Sequence, residues 1–289
     1  MAAESHPPGR RLRRPEIGWA FAFLLPYLAV FAAFVVYPVG YGLWMARDPG
    51  LYAELLADPP YLRTVINTVL FVGLGVNIMM FCALLLSGYF MQRKGWVRAL
   101  FAIFLLSWAM PQIPAFVSFH WMLIGEQGLL DSLLRELFGI EGPIWFNDHR
   151  LSVTWNIAAY IWKWMPFWTV VFIAGRMAIP QEIYEAAAID GAVGVRRFLH
   201  VVFPLLANVY HVCTLLATLW TVGDFNTVFL VSNGAPARSS DVLAKLGISY
   251  AFDAARPELG VAAVMFVLPV LVPLALWLMR RLHKGEVQL

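Results

Sequence analysis

Charge is scarce in this chain of 289 residues: Asp, Glu, Lys and Arg together make up 13%, against 61% apolar residues. With a mean hydropathy of +0.69, that balance excludes an ordinary water-soluble domain and places the chain in a bilayer. Cysteine is nearly missing. Cys82 and Cys213 both fall inside apolar runs, which argues against a disulfide framework or a redox or metal site and leaves two small core residues. No Gly-x-x-x-x-Gly-Lys-Ser/Thr cradle occurs, so the chain is expected neither to bind nor to hydrolyse ATP. His-Glu-x-x-His and Gly-x-Ser-x-Gly are also missing, and no nucleophile stands beside a base. There is no internal repeat and no low-complexity segment. The net charge of +3 is too small and too dispersed to point to a nucleic-acid partner.

What the sequence has in abundance is long uncharged runs. They cover residues 17–46, 64–92, 99–125, 152–175 (interrupted by Lys163), 198–223 (continuing past Asp224 to about residue 232) and 259–279. Each reaches the roughly 20 residues needed to cross hydrocarbon. Only helices or closed barrels satisfy the backbone in lipid, and these runs are far too long for barrel strands. The expected fold is therefore an all-α integral membrane protein with six transmembrane helices. Residues 16–285 form one domain, residues 1–15 a flexible tail rich in Pro and Arg, and residues 286–289 a short C-terminus. The first run is too long for a signal-peptide core and lacks a cleavage site, so it stays as a span, bent at Pro26 and Pro38.

Orientation follows from the basic residues. With the N-terminus inside, the inner side collects Arg10, Arg11, Arg13, Arg14, Arg93, Lys94, Arg98, Arg176, Arg196, Arg197, Arg280, Arg281 and Lys284. The outer segments hold most of the acidic residues, among them Asp48, Glu54, Asp58, Glu126, Asp131, Glu136, Glu141 and Asp148. That asymmetry places both termini and the loop between spans four and five in the cytoplasm. On the outer side, GLLDSLLRELFG at residues 128–139 puts Leu130, Leu133, Leu134 and Leu137 on one helical face. It reads as a short interfacial helix, either packed over the bundle or touching a soluble partner.

The loop at residues 179–205 reads IPQEIYEAAAIDGAVGVRRFLHVVFPL. Pro180 suits a helix start, QEIYEAAAI is rich in helix formers, and Gly191 can take the left-handed conformation that closes the helix. Ala186, Ala187 and Ala188 leave little side-chain bulk, while Glu182, Glu185 and Asp190 supply negative charge. A partner can approach closely.

Tyr184, Glu185, Ala186, Ala187, Asp190, Gly191, Ala192, Phe198 and Pro204 stand at the spacing of an EAA loop. The chain thereby resembles the membrane-spanning permease subunits of binding-protein-dependent ABC importers, in the carbohydrate-uptake branch of maltose and glycerol-phosphate type. Val195 and Phe203 depart from that pattern. Further resemblance lies in Tyr37-Pro38, Asn67-Thr68, the turn at Arg93, Lys94 and Gly95, Pro111 with Pro114, and Trp164-Met165-Pro166-Phe167. FNTVFLVSNGAP from Phe225, Asp241-Val242-Leu243 and Tyr250-Ala251-Phe252 extend it. The resemblance implies that the loop forms the coupling helices that fit a cytoplasmic ATPase dimer. It also implies a second related permease subunit, an extracytoplasmic solute-binding protein, and no cofactor on this chain, ATP and Mg being used by the ATPase.

Ionisable groups deep in a span usually face a bundle interior or a wet cavity. At 1.5 Å per residue from the outer ends of their spans, Lys163 lies ~16 Å and Asp224 ~12 Å deep. Two readings stay open: the two form a structural ion bridge, or both line a cavity for a polar solute, with Lys163 as a contact for an anionic one. Trp164, Trp220, Phe225 and Asn226 complete the candidate pathway. The other tryptophans read as belt or packing residues. His120 and His211 have no ligand partner at metal spacing and read as polar packing residues. Two competing classes are a proton-coupled secondary transporter driven by Lys163 and Asp224, and a membrane-embedded enzyme using Asp224 with a histidine. Neither accounts for the loop.

Overall fold

The computed structural model describes residues 14–269, 271–273, 276, 277 and 280, with side chains from residue 22 onward except that of Glu126. Most of the expected tail 1–15 and all of residues 286–289 lie outside the described residues. Two compact units are present, one ending at Asp48 and the other starting at Pro49.

In the first unit, α1 (Arg14–Phe31) and α2 (Tyr37–Met45) are joined by a π turn over Ala32–Val36. The wider turn ends two residues before Pro38, which has no N–H and whose ring crowds the carbonyl four residues back. The apolar stretch Ala22–Met45 is long enough to cross a membrane. Its end carries stacked aromatic rings, Tyr37 on Tyr41 at 6.1 Å and Tyr41 on Trp44 at 5.6 Å, with the Arg47 guanidinium 4.8 Å from the Trp44 ring centre.

The second unit begins with α3 (Pro49–Ala57) and α4 (Pro59–Phe90). It continues through α5 (Gly95–Ala109), α6 (Gln112–Met122) and α7 (Leu129–Phe138). After these come α8 (His149–Met177), α9 (Gln181–Ile189) and α10 (Gly194–Arg197). A π turn at Phe198–Val202 leads into α11 (Phe203–Val222), followed by α12 (Asn226–Val231), α13 (Leu243–Ile248) and α14 (Pro257–Met265). No strand occurs among the described residues.

Four helices are long and apolar enough to cross by themselves: Ala22–Met45, Pro59–Phe90, His149–Met177 and Gly194–Val222. The expected third span is not straight. Its two halves, α5 and α6, meet at 99°, and they make a fifth span if the pair is taken as one. The break is where the prolines dictate: Met110, directly before Pro111, is pushed out of helical geometry to φ −63, ψ 138. Of the expected sixth span, α14 forms the first part, and the rest of 259–279 lies partly outside the described residues.

The core lies where α4 and α8 pack along their length. Phe71, Met79, Met80 and Leu84 meet Ile157, Tyr160, Trp168 and Phe172, with Leu206, Cys213 and Ala217 of α11 alongside. Both cysteines are free thiols, Cys213 buried and Cys82 half-buried. At the α13–α14 contact the backbones touch: a Cβ on Gly247 would come within 3.0 Å of the Gly260 carbonyl oxygen.

Long-range polar contacts fasten the ends. The Asn67 side-chain amide donates to the Ser239 carbonyl at 2.7 Å and the Asp241 carbonyl at 3.0 Å, while the Thr68 hydroxyl accepts from the Leu243 N–H at 2.9 Å. Thus two motifs of the sequence, Asn67-Thr68 and Asp241-Val242-Leu243, hold one another. Arg256 forks onto Glu54, with Nη2 to Oε2 at 2.8 Å, and the Tyr250 hydroxyl donates to Asp58. The short helix expected at residues 128–139 is present. Leu133 and Leu137 are exposed, whereas Asp131 turns inward and accepts from the Trp145 indole N–H at 3.2 Å.

Candidate functional site

Two places combine the residues singled out in the sequence: the loop that follows α8 and a layer of broken helices within the bundle. In the loop, α9 ends in a Schellman closure. The Ala192 N–H donates to the Ala187 carbonyl at 2.8 Å and the Gly191 N–H to the Ala188 carbonyl at 3.1 Å, with Gly191 at φ +73. Gly191 is needed because an L side chain at that φ would be strained. Asp190 occupies the cap, its N–H donating to the Ala186 carbonyl at 3.0 Å.

The loop presents one face to its surroundings. Ala187 is buried and Tyr184 half-buried, its hydroxyl donating to the Arg176 carbonyl at 3.3 Å. Glu185, Ala186, Asp190 and Gly191 are exposed, Ala192 is half-buried, and Ile189 is 87% exposed. An isoleucine held out in this way, beside carboxylates and small residues, suits burial against another protein. The Phe198 ring lies 5.7 Å from the Arg176 guanidinium. Pro204 sits just inside α11, two residues beyond the end of the π turn, so Pro38 and Pro204 share one device.

The second place is built by proline. In a straight helix the carbonyls of Ser107 and Met110 would accept from residues 111 and 114, but both are prolines and have no N–H. Lys163, at the middle of α8 and only 3% exposed, supplies the missing donors. Its ammonium donates to the Ser107 carbonyl at 2.9 Å, the Trp108 carbonyl at 3.0 Å and the Met110 carbonyl. Three donors meet three acceptors. Asp224 instead accepts from the Thr227 N–H at 2.9 Å, opening α12 after a second break at residues 223–225. Lys163 therefore makes no ion bridge with Asp224; its ammonium is engaged by three backbone carbonyls, two of them freed by Pro111 and Pro114.

The two breaks are joined. Asn226 donates to the Gln112 side chain at 3.3 Å, and the His120 ring is 2.8 Å from the Val231 carbonyl, the polar packing role expected of it. Next to this layer lies an aromatic surface: Phe167 packs on both Trp108 and Trp220 at 5.8 Å, and Trp220 on Trp168 at 5.4 Å. Trp220 remains 51% exposed. Phe225 stacks on Phe229 at 4.8 Å, and the Trp164 indole N–H is buried without a partner. Trp108, Gln112 and Phe167 belong to this layer and were not among the expected pathway residues. The signal that could have found them was present, since Pro111 and Pro114 mark the neighbouring carbonyls as lacking partners. Among the described residues no cluster of His, Cys, Asp and Glu could hold a metal ion.

Comparison with known proteins places this geometry. Residues 17–286 match the family described as the binding-protein-dependent transport system inner membrane component. The chain is 31% identical over 249 residues to the sulfoquinovosyl glycerol transport system permease protein of Agrobacterium fabrum, covering 78% of this chain and 77% of that one. It is 28% identical over 253 residues to the trehalose/maltose transport system permease protein of Thermococcus litoralis, covering 83% and 85%. A chain of the crystal structure of a bacterial ABC transporter involved in importing the acidic polysaccharide alginate has the same fold. Its TM-score is 0.82 at 20% identity, over 93% of this chain and 96% of that one. The chain belongs to the binding-protein-dependent transport family: it is an inner-membrane permease component of an ABC importer, a transport subunit whose ATP is hydrolysed by a separate ATPase.

Proposed function

We propose that the chain forms half of the path by which a sugar, oligosaccharide or polyol, including phosphorylated or otherwise anionic ones, crosses the membrane. In this reading it has six spans in one domain over residues 16–285, with both termini and the loop 179–205 in the cytoplasm. A second related permease subunit supplies the other half, a solute-binding protein delivers solute from outside, and an ATPase dimer using ATP and Mg binds the loop. The observation that carries the reading is the exposed, Schellman-closed α9, with Ile189 and Glu185 held clear of the bundle. Tyr184, Ala187, Ala192, Phe198 and Pro204 fix its shape, and Glu185, Ala186, Asp190 and Gly191 meet the ATPase.

Coupling requires the ATPase to bind two conformations of the membrane subunits with different free energies. The two helix breaks supply the irregular backbone that membrane proteins tolerate where it lines a cavity or is buried in protein. Trp220, Phe225 and Asn226 are the solute contacts we assign, with Trp108 and Gln112 added. Trp164 sits one layer back, and Asp224 and Lys163 hold the breaks in shape. Names among the relatives, sulfoquinovosyl glycerol, trehalose/maltose and sn-glycerol-3-phosphate, agree in chemistry: polyhydroxylated solutes suited to an aromatic face and amide hydrogen bonds.

The test is co-purification with the ATPase and sibling permease, followed by solute-stimulated ATP hydrolysis in wild type, Glu185→Ala and Gly191→Asp. Weakened assembly or stimulation in the variants is expected. Normal coupling in both would remove the loop from its assigned role.

A further inference from the structure

At the end of the bundle that carries the loop, Arg176 presents an electrostatic imbalance. Its side chain occupies the last turn of α8 and is 7% exposed. Nε donates to the Ser87 hydroxyl at 2.7 Å and Nη2 to the Leu84 carbonyl at 3.0 Å. No carboxylate pairs with it among the described residues. A buried guanidinium without a counter-ion is costly.

Arg176 lines a cavity of about 770 Å³ between the end of α4 and the start of the α10–α11 run. Arg197, Gln92, Tyr89 and Tyr184 also line it, and among the described residues no acidic side chain does. Arg197 also lacks a carboxylate partner among the described residues and lies 5.7 Å from the Tyr184 ring. The remaining wall is apolar: Phe81, Leu85, Leu199 and Val202. Gly88 keeps the floor open against the guanidinium, since a Cβ there would stand 3.3 Å from the Arg176 Cζ.

We propose that this cavity is a binding site for an anionic phospholipid of the leaflet on the docking-loop side. The phosphate sits between Arg176 and Arg197, beside Gln92 and Tyr89, and an acyl chain lies along Phe81, Leu85, Leu199 and Val202. Two uncompensated cations call for an anion, and the apolar wall at the ends of three spans calls for a lipid rather than a soluble one. The occupant touches α4, the end of α8 and the start of the loop's second helix, so it stiffens the joint through which the loop moves. Tyr184, Arg197 and Phe198 of its wall belong to the loop assigned to the ATPase, so the effect on coupling rests on that reading, whereas lipid retention does not.

The test uses the full-length protein purified with its partner subunits. Reconstitution is into bilayers of phosphatidylcholine with and without phosphatidylglycerol, and retained lipid is measured by native mass spectrometry. Wild type should retain phosphatidylglycerol in preference to phosphatidylcholine. Arg197→Gln, which removes one cation, and Gln92→Glu, which adds an anion at an exposed position, should each lower that preference about fivefold. Free glycerol phosphate should not displace the lipid. Equal retention of both lipids by wild type, or unchanged preference in both variants, overturns the proposal, and displacement by glycerol phosphate assigns the cavity to a soluble anion instead. A failure of ATPase stimulation with lipid preference intact bears on the uptake reading alone.

Discussion

Replacing Lys163 by Met keeps the length and apolar stem of the side chain and deletes its three N–H donors. The Ser107 carbonyl is then buried without a partner, because Pro111 offers no N–H; the Trp108 and Met110 carbonyls are partly buried and regain some water. An unsatisfied buried group costs ~1–3 kcal/mol and an ordinary lost hydrogen bond about 0.5–1.5 kcal/mol. Removing the ammonium from its buried position returns part of this, so the net loss is about 2–4 kcal/mol. For a chain of this size that lowers the unfolding midpoint by roughly 5–10 °C in a detergent melt. The diagnostic arm is the double variant with Pro111→Ala. An alanine N–H at position 111 gives the Ser107 carbonyl back its helical partner, so the loss caused by Lys163→Met should shrink. Identical melts for wild type and Lys163→Met, or strict additivity in the double variant, would refute the carbonyl-capping account. A fall in the transport affinity for an anionic solute, with the melting point unchanged, would restore Lys163 as a solute contact.

The remaining predictions follow the other contacts. Asn67→Ala removes the donor to the Ser239 and Asp241 carbonyls and should cost about 1–3 kcal/mol. Limited proteolysis at the 233–241 segment should report it as faster cleavage. Trp220→Ala should raise the transport KM about fivefold to tenfold for an uncharged sugar, on the scale of one lost aromatic contact, with the melting point little changed. Glu54 is held below the usual carboxylate range by the hydrogen bond from the Arg256 guanidinium beside it. A depressed carboxylate stabilises the fold at neutral pH, and that contribution is lost as pH falls through the lowered value. The stability difference between wild type and Arg256→Gln should therefore be present at neutral pH and close on acidification.

The apolar character of the spans was legible because lipid imposes one rule on every residue of a span, whereas the 99° break in the expected third span was not. The loop's ending was legible because Gly191 at the end of an Ala-rich helix has a single inexpensive conformation. The partners of Lys163 were not, although both charged residues were noticed. A search among side chains for a counter-ion overlooks backbone carbonyls, and a carbonyl becomes available only where Pro111 and Pro114 withhold their N–H groups. The same limit hid Arg176, which reads in sequence as one more inward-side cation. Its burial depends on Ser87 and Gly88 arriving from α4, a spatial accident no local pattern encodes. Two motifs quoted for the resemblance, Asn67-Thr68 and Asp241 to Leu243, proved to hold one another, a relation that nothing in the sequence stated.

The fastening of Asn67 has a consequence for how the protein is made. Its acceptor at Ser239 lies 172 residues further along the chain. At the ~5–20 residues per second of synthesis, the second span waits on the order of ten to thirty seconds in the membrane before that carbonyl exists. During that interval its amide must be satisfied by water or by the insertion machinery, so the last fifth of the chain acts as the latch on a helix inserted near the beginning. A nascent chain stalled before Ser239 has its first spans in place and remains unlocked.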